Sequence, residues 1–486
     1  MLARLLSLLV LAAAPVAAQE VLVVGSDGFT PYLSIRDAIQ DASPGALIIV
    51  RPGVYAENLR IGSKPLRIVA PVPGSVTVFG DVDVRDLPAG SEVLLHGLRI
   101  EGFYVEFDAA VQLRDCGGHV TLQRCEVFAA DAFVSDDPGQ TALGALRSAR
   151  VTAIHCTFEG GDGTAESFSS GAGPGGAGVL ADASRMELFG CTALGGDGED
   201  VFALDIFDGG DGGHGLDLRA SAAFVSGGVF RGGAGGAGGS GFTFPVGGDG
   251  GNGIEVGTGS MLVERAPSTT GGPGGPSMGS PPGASGSGIA GSGQVRSLPG
   301  VPRLHEGGLF VRGQSVYDFL VTGPANANAA LTIATRAPFF FRRRTTPGGL
   351  TSVSSQPVPL GDPIPLGATD ALGRLQASLG VPLLPASPAF RPLAFSLSFD
   401  GLDGPSARGN PIPVLTLCCT TLLPDCDGSG RADLCEFLEG TIDDVNGNLV
   451  PDSCEIDCNG NGVADFLDIL NGTSLDLDGD GVPDEC

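Results

Sequence analysis

VTAIHCTFEGGDG from Val151, MELFGCTALGGDG from Met186, AFVSGGVFRGGAG from Ala223 and LVERAPSTTGGPG from Leu262 are four copies of one phrase, each ending in paired glycines. Two looser copies come first, VLLHGLRIEGF from Val93 and VTLQRCEVFAA from Val120. Successive starts lie 27, 31, 35, 37 and 39 residues apart, so the phrase is kept while its connecting loop grows. Coils of a solenoid behave in this way. Aligned on the glycine pair, Val93, Val120, Val151, Met186, Ala223 and Leu262 form one column. Leu95, Leu122, Ala153, Leu188 and Val225 form a second, with Glu264 as its exception. Apolar columns two residues apart mean that one strand face points inward, with parallel coils stacked at about 4.8 Å. A third column, Leu98, Cys125, Cys156, Cys191, Gly228 and Pro267, reads as an internal stack whose thiols serve as small apolar residues.

After the glycine pairs, GAGVL, GHGLDL and GNGIEV resume a strand at Val179, Leu216 and Ile254, and GSGIA closes the series at Ile289. Of the 80 glycines, 44 lie between 151 and 300, so the intervening loops have few side chains to pack and are expected to form one flank. Ahead of the coils, Ser34 caps a short helix with Ile35, Ala38, Ile39 and Ala42 on one face, and Pro44-Gly45 ends it. The stretch YLSIRDAIQDASPGALIIVRPGVYAENLRI, from Tyr32, resembles the opening of right-handed parallel β-helix proteins, the broad pectate-lyase and pectin-methylesterase-like superfamily. The resemblance implies a fold and supplies no active site.

The chain opens MLARLLSLLVLAAAPVAAQE, a basic start, an apolar run and small residues before Gln19, which is the pattern of a secretory signal peptide. The sequence therefore divides into a signal peptide (1–18), a right-handed parallel β-helix with its helical cap (19–300), a β-sandwich module (301–421) and a tail (422–486). In the third part, SVYDFLVTG, AALTIAT, LAFSLSFD and PVLTLCC read as strands between proline-rich turns. GATDALGRLQASLGVPL from Gly367 resembles a module of large secreted bacterial surface proteins, and APFFFRRR from Ala337 is the one basic cluster. The net charge of -28 disfavours nucleic acid and anionic membranes as partners.

Residues 425 to 486 hold 17 acids against Arg431 alone. Asp425, Asp427, Ser429, Asp433 and Glu436 carry side-chain oxygens at positions 1, 3, 5, 9 and 12 of a loop, and Asp457, Asn459, Asn461, Asp465 and Asp468 repeat the set. That is EF-hand spacing, in which alternating oxygens wrap one calcium ion. Asp444, Asn446, Asn448, Asp452 and Glu455 keep the ligands but place Leu449 where glycine belongs. Asp476, Asp478, Asp480 and Asp484 end without a twelfth-position acid. The starts define a 32-residue duplication, whose symmetry favours disulfides Cys426–Cys454 and Cys458–Cys486 and leaves Cys435 to reach Cys418 or Cys419. The unit resembles dockerin modules, which implies docking to a partner module, and thrombospondin type 3 repeats, which implies a calcium-ordered spacer.

Catalytic signals are sparse. GGDGEDVFA from Gly195 fits the calcium β-roll pattern but lacks tandem copies, and Gly213-His214-Gly215 matches a polygalacturonase signature without that family's paired aspartates. Lys64 is the one lysine, Trp is absent and Tyr numbers 4, which removes the usual flat platforms for sugar rings. No catalytic residue is assigned. The sequence favours an exported, calcium-binding structural or interaction protein of a cell surface or matrix, meeting a surface polysaccharide or a protein module. The alternative is a polysaccharide lyase or hydrolase on the same scaffold, anchored by its tail.

Overall fold

The computed structural model describes residues 20–297, apart from 26–29, 71, 104–107, 133–136, 165–171, 202–206, 241–244 and 278–279. Between 303 and 418 it describes strand backbone, and in the tail residues 426, 428, 429, 433, 436, 442, 443, 445, 450–477 and 482–486. The signal-peptide reading over 1–18 lies outside them.

Three parallel sheets of 10, 8 and 8 strands run the length of the repeat region. Each coil contributes a strand to each in turn: Glu92–His96 to the first, Leu98–Glu101 to the second and Ala109–Arg114 to the third. The expected column holds in the first sheet, where Val93, Val120, Val151, Met186, Ala223 and Leu262 are successive partners. All six are fully buried in one continuous core. Cys125, Cys156 and Cys191 are buried and unbridged beside them, as the third column requires. This is a parallel β-helix.

Its corners also repeat. One residue per coil takes a left-handed backbone where the third sheet turns into the first, at Asp86, Asp115, Arg147, Ala183 and Ala220. Behind that corner a buried serine ladder runs inward: the backbone N–H groups of Ser148, Ser184 and Ser221 donate to the hydroxyls of Ser184, Ser221 and Ser260 at 2.9, 2.9 and 3.1 Å. The N-terminal opening is closed by the helix Ile35–Asp41, capped by Ser34 as expected, with Ile35, Ala38 and Ile39 on the core. Lys64 donates to the carbonyls of Ile39, Gln40 and Ala42, a cation at the helix C-terminus.

The first sheet's outward face is buried too. Ile154, Phe189, Ala222, Phe224 and Val263 form an apolar cluster there. On the same face, burial and then Arg124 lower the His96 pKa to about 4, and burial and then Arg150 lower that of His119 to about 3.

The glycine-rich loops lie along one flank, as the sequence reading expects, with an order that it did not give. They are a hydrogen-bonded wall of two layers, one of chains leaving the second sheet and one of chains returning to the third. The segments keep a three-residue period, glycine-glycine-x, broken at Glu199 and Ser285, as in left-handed threefold extended helices, where crowding favours glycine. The first glycine donates to the next coil within its layer, as in Gly198 to Ala234 and Gly212 to Asp249. The second donates across layers in a zigzag, Gly196 to Gly176, Gly213 to Gly196 and Gly233 to Gly213. The x residue donates to a side chain of the coil before: Asp162 to Asp131, Asp197 to Asp162, Ala234 to Asp197 and Asp249 to Asp211. A Cβ on Gly196 would overlap the carbonyl of Gly161, and one on Gly213 that of Gly176. The recurrent glycine-aspartate-glycine is thus a ladder that satisfies backbone donors.

Beyond residue 303 the strands form sheets of 3, 5 and 2, chiefly antiparallel. Val316–Thr322, Asn328–Ala334, Pro392–Phe399 and Ile412–Cys418 coincide with the four strands read from sequence. Among the described residues, no helix is long and apolar enough to cross a membrane.

Candidate functional site

The returning layer of the wall stands beside the outward face of the third sheet, and the space between them is a groove of about 670 Å³. Its floor includes Leu180 and Asp217, members of a register column in which Gln112, Gly144, Leu180, Asp217 and Glu255 are successive partners. Leu180, Asp217 and Arg219 line it from below, and Asp211, His214, Asp249 and Asn252 from the wall. Asp217 is buried, and its Oδ2 receives Arg219 Nε at 2.9 Å and Nη2 at 2.7 Å.

His214 Nδ1 accepts the Asn252 backbone N–H at 2.9 Å, so the neutral ring carries its proton on Nε2. The Asn252 amide is held as well: Oδ1 accepts the Ser287 N–H at 2.7 Å, and Nδ2 donates to Glu255 Oε2 at 2.8 Å. Both side chains are therefore positioned by the wall's own ladder.

At the other end of the groove lie Asp108 and Gln140. Gln140 Nε2 donates to Asp81 Oδ1 at 3.2 Å, and the Phe103 N–H donates to the same oxygen at 3.0 Å. Two residues along the strand, Asp83 takes Arg114 Nη2 at 3.0 Å and lies 3.6 Å from Arg85 Nε. Asp81, Asp83, Gln112 and Gln140 are all buried although they project from the outside of the sheet. Carboxylates, guanidinium groups and amides thus converge on one face, which the sequence reading did not anticipate. A signal was present: Asp83-Val84-Arg85, Gln112-Leu113-Arg114 and Asp217-Leu218-Arg219 repeat an acid or amide two residues before an arginine. His96 and His155 stay outside the groove.

In the tail, the described ligand candidates are Ser429, Asp433, Glu436, Asp452, Glu455, Asp457, Asn459, Asn461, Asp465, Asp468, Asp476 and Asp484. Asp425, Asp427, Asp444, Asn446, Asn448, Asp478 and Asp480 lie outside the described residues, as does Cys435. One contact recurs in all four loops: the N–H at position 2 donates to Oδ1 at position 9, in Cys426 to Asp433, Val445 to Asp452, Cys458 to Asp465 and Leu477 to Asp484, at 3.0, 2.9, 2.9 and 3.1 Å. Asp465 and Asp468 are buried, and Asp465 Oδ2 has no hydrogen-bond partner. Asn459 and Asn461 turn their amides to Asp468 Oδ2 at 3.2 and 2.7 Å. The disulfides Cys426–Cys454 and Cys458–Cys486 are those that the duplication favours.

No protein-family model matches the chain, and no curated protein matches it. Among solved structures, the chain is similar to pectin methylesterases. The carrot enzyme shares 14% identity over 52% of this chain and 74% of its own, with a TM-score of 0.28. Pectin methylesterase PemA from Erwinia chrysanthemi shares 11% over 57% of this chain and 92% of its own, with a TM-score of 0.27. A pectin methylesterase in complex with a hexasaccharide shares 9% over 50% of this chain and 78% of its own, with a TM-score of 0.26. At these values the likeness carries no chemistry across, and the β-helix rests on its strand register.

Proposed function

We propose that this protein is an exported polysaccharide-directed hydrolase that takes a neutral glycan chain into the groove between the third sheet and the glycine wall. The observation that supports this reading is the convergence of Asp217, Arg219, His214, Asp249 and Asn252 on one groove about 670 Å³ in volume. Fixed donors and acceptors of this kind suit sugar hydroxyls, and a carboxylate suits general acid-base work on a glycosidic bond. Asp108, Asp211, Asp217 and Asp249 outnumber Arg219 there, so the groove repels uronate polymers. Arg219, moreover, is paired with Asp217, which fits hydrolysis better than proton abstraction beside a uronate. The reading is tested by incubating the protein with neutral and acidic polysaccharides, scoring new reducing ends and absorbance from unsaturated products. Reducing ends from neutral polymers, lost in Asp217→Asn, support it. Unsaturated products from uronates overturn it.

The tail supports a second role, calcium binding. The recurring contact from position 2 to position 9, and the partnerless buried Asp465 Oδ2, suit a hard cation held by Asp457, Asn459, Asn461, Asp465 and Asp468, and in the first loop by Ser429, Asp433 and Glu436. Calcium would draw these carboxylates together, and the tail would then act as a spacer or an attachment to a surface. Calorimetry of the whole protein should register calcium uptake that shrinks in Asp465→Asn. Absence of uptake at millimolar metal removes the assignment.

A further inference from the structure

The second sheet carries an aromatic feature on its outside that neither the groove nor the tail uses. Phe79 ends one strand, and Phe103 follows the end of the next, after Gly102. Their ring centroids are 5.8 Å apart at 50°, and they remain 44% and 53% exposed. In the same register column Phe79 pairs with Glu101, and Glu101 with Phe128. Arg99 lies over the Phe128 ring, with its guanidinium carbon 4.3 Å from the centroid, and is anchored to Glu101 Oε1 at 2.8 Å and Glu126 Oε2 at 3.2 Å. Rings and hydrogen-bonding groups therefore alternate on one patch.

The backbone fixes this patch to the end of the groove. A Cβ on Gly102 would overlap Gln140 Oε1, so the turn that presents Phe103 passes directly against Gln140. The Phe103 N–H and Gln140 Nε2 meet on the same oxygen of Asp81, at 3.0 and 3.2 Å. Asp81 itself lies two residues after Phe79. The turn that carries Phe103 thus abuts Gln140, at the end of a groove whose described lining residues include no aromatic.

We propose that Phe79 and Phe103 form a stacking platform for pyranose rings of a polysaccharide chain on its way into the groove, with Arg99, Glu101 and Glu126 meeting its hydroxyls. A pyranose has one face of C–H groups and a rim of hydroxyls, which matches exposed rings fenced by charges. With 44% and 53% of Phe79 and Phe103 exposed, the two side chains offer about 150–250 Å², well short of the roughly 1,000 Å² of a stable protein interface. A sugar therefore fits the patch better than a protein does. The platform rests on the polysaccharide reading above and goes beyond it by naming where the chain is held outside the groove.

The sequence has no Trp, so Phe103→Trp installs a single reporter at the platform. Laminarin, galactomannan, xyloglucan and dextran are titrated against it, with calorimetry of the wild type alongside. The expected result is a shift in Trp emission that saturates with the polymer the wild type binds, and affinity about tenfold weaker or more in Phe79→Ala/Phe103→Ala, whose unfolding transition is unchanged. Wild-type binding with silent Trp emission and full affinity in the double variant overturns the platform and leaves the groove reading standing. Failure of the wild type to bind any of these polymers overturns both.

Discussion

Ser184 links three coils: its hydroxyl accepts the Ser148 N–H at 2.9 Å and donates to the Ala145 carbonyl at 3.0 Å, while its own N–H goes to Ser221. Ser184→Ala strands a buried backbone donor and should cost about 1–3 kcal/mol in chemical denaturation. Gly196→Ala should cost at least as much, since the added methyl has backbone where it would sit. Ala234→Ser, at an x position of the same wall, should be close to neutral. The buried histidines predict acid sensitivity. The His96 pKa falls from 6.5 to about 4, equivalent to roughly 3 kcal/mol. The unfolded chain then binds more protons than the folded one between these values, so the stability from His96 is complete above pH 6.5 and is lost as pH falls toward 4. Glu92 and Glu187, raised first by burial, act in the opposite sense and favour the fold at low pH. Melting temperature followed against pH should fall less steeply on acidification in His96→Gln than in the wild type.

At the scale of elements, strands were legible and the wall was not. Val93, Val120 and Val151 announce a strand because a half-buried strand alternates with period two, which apolar residues record directly. The wall has no apolar record: its order comes from backbone donors and from the missing Cβ at Gly196 and Gly213, and composition alone reads as a loose loop. Its period of three was nevertheless written in GGAGGAGG from Gly232, and Asp162, Asp197, Asp211 and Asp249 at x positions marked the acceptors. The groove was hidden for the same reason. His214 read in the sequence only as part of a Gly-His-Gly match without its aspartates, because Asp217, Asp249 and Asn252 join it from the floor and from the next returning segment. The tail was the reverse case, since ligand spacing and duplication symmetry depend on local sequence, and the pairing of Cys426 with Cys454 followed from them.

At the scale of the molecule, the β-helix supplies the floor, a wall without side-chain packing supplies one side, and an acidic tail touches the first coils where Arg51 Nη1 donates to the Val445 carbonyl at 2.6 Å. Chelation should therefore act unequally. Removing calcium should loosen residues 450–477 and leave the β-helix transition in place, which hydrogen exchange on the whole protein can follow region by region. A common loss of protection in both parts would show instead that tail and helix fold as one unit.

The outer column of the leaving layer reads Asp131, Asp162, Asp197, Ala234 and Pro273 along successive coils. Each carboxylate receives the amide of the coil above it, and Ala234 can receive none. Proline, which has no amide to offer, occupies the rung that follows, and Ala237 and Pro276 repeat the arrangement one turn farther along. A stack built almost wholly from main chain would otherwise be a seed for recruiting further polypeptide at its open face. Here, in the leaving layer, the side-chain acceptors and the donors at the x positions run out together, so that this ladder reaches its own end at Pro273 and Pro276.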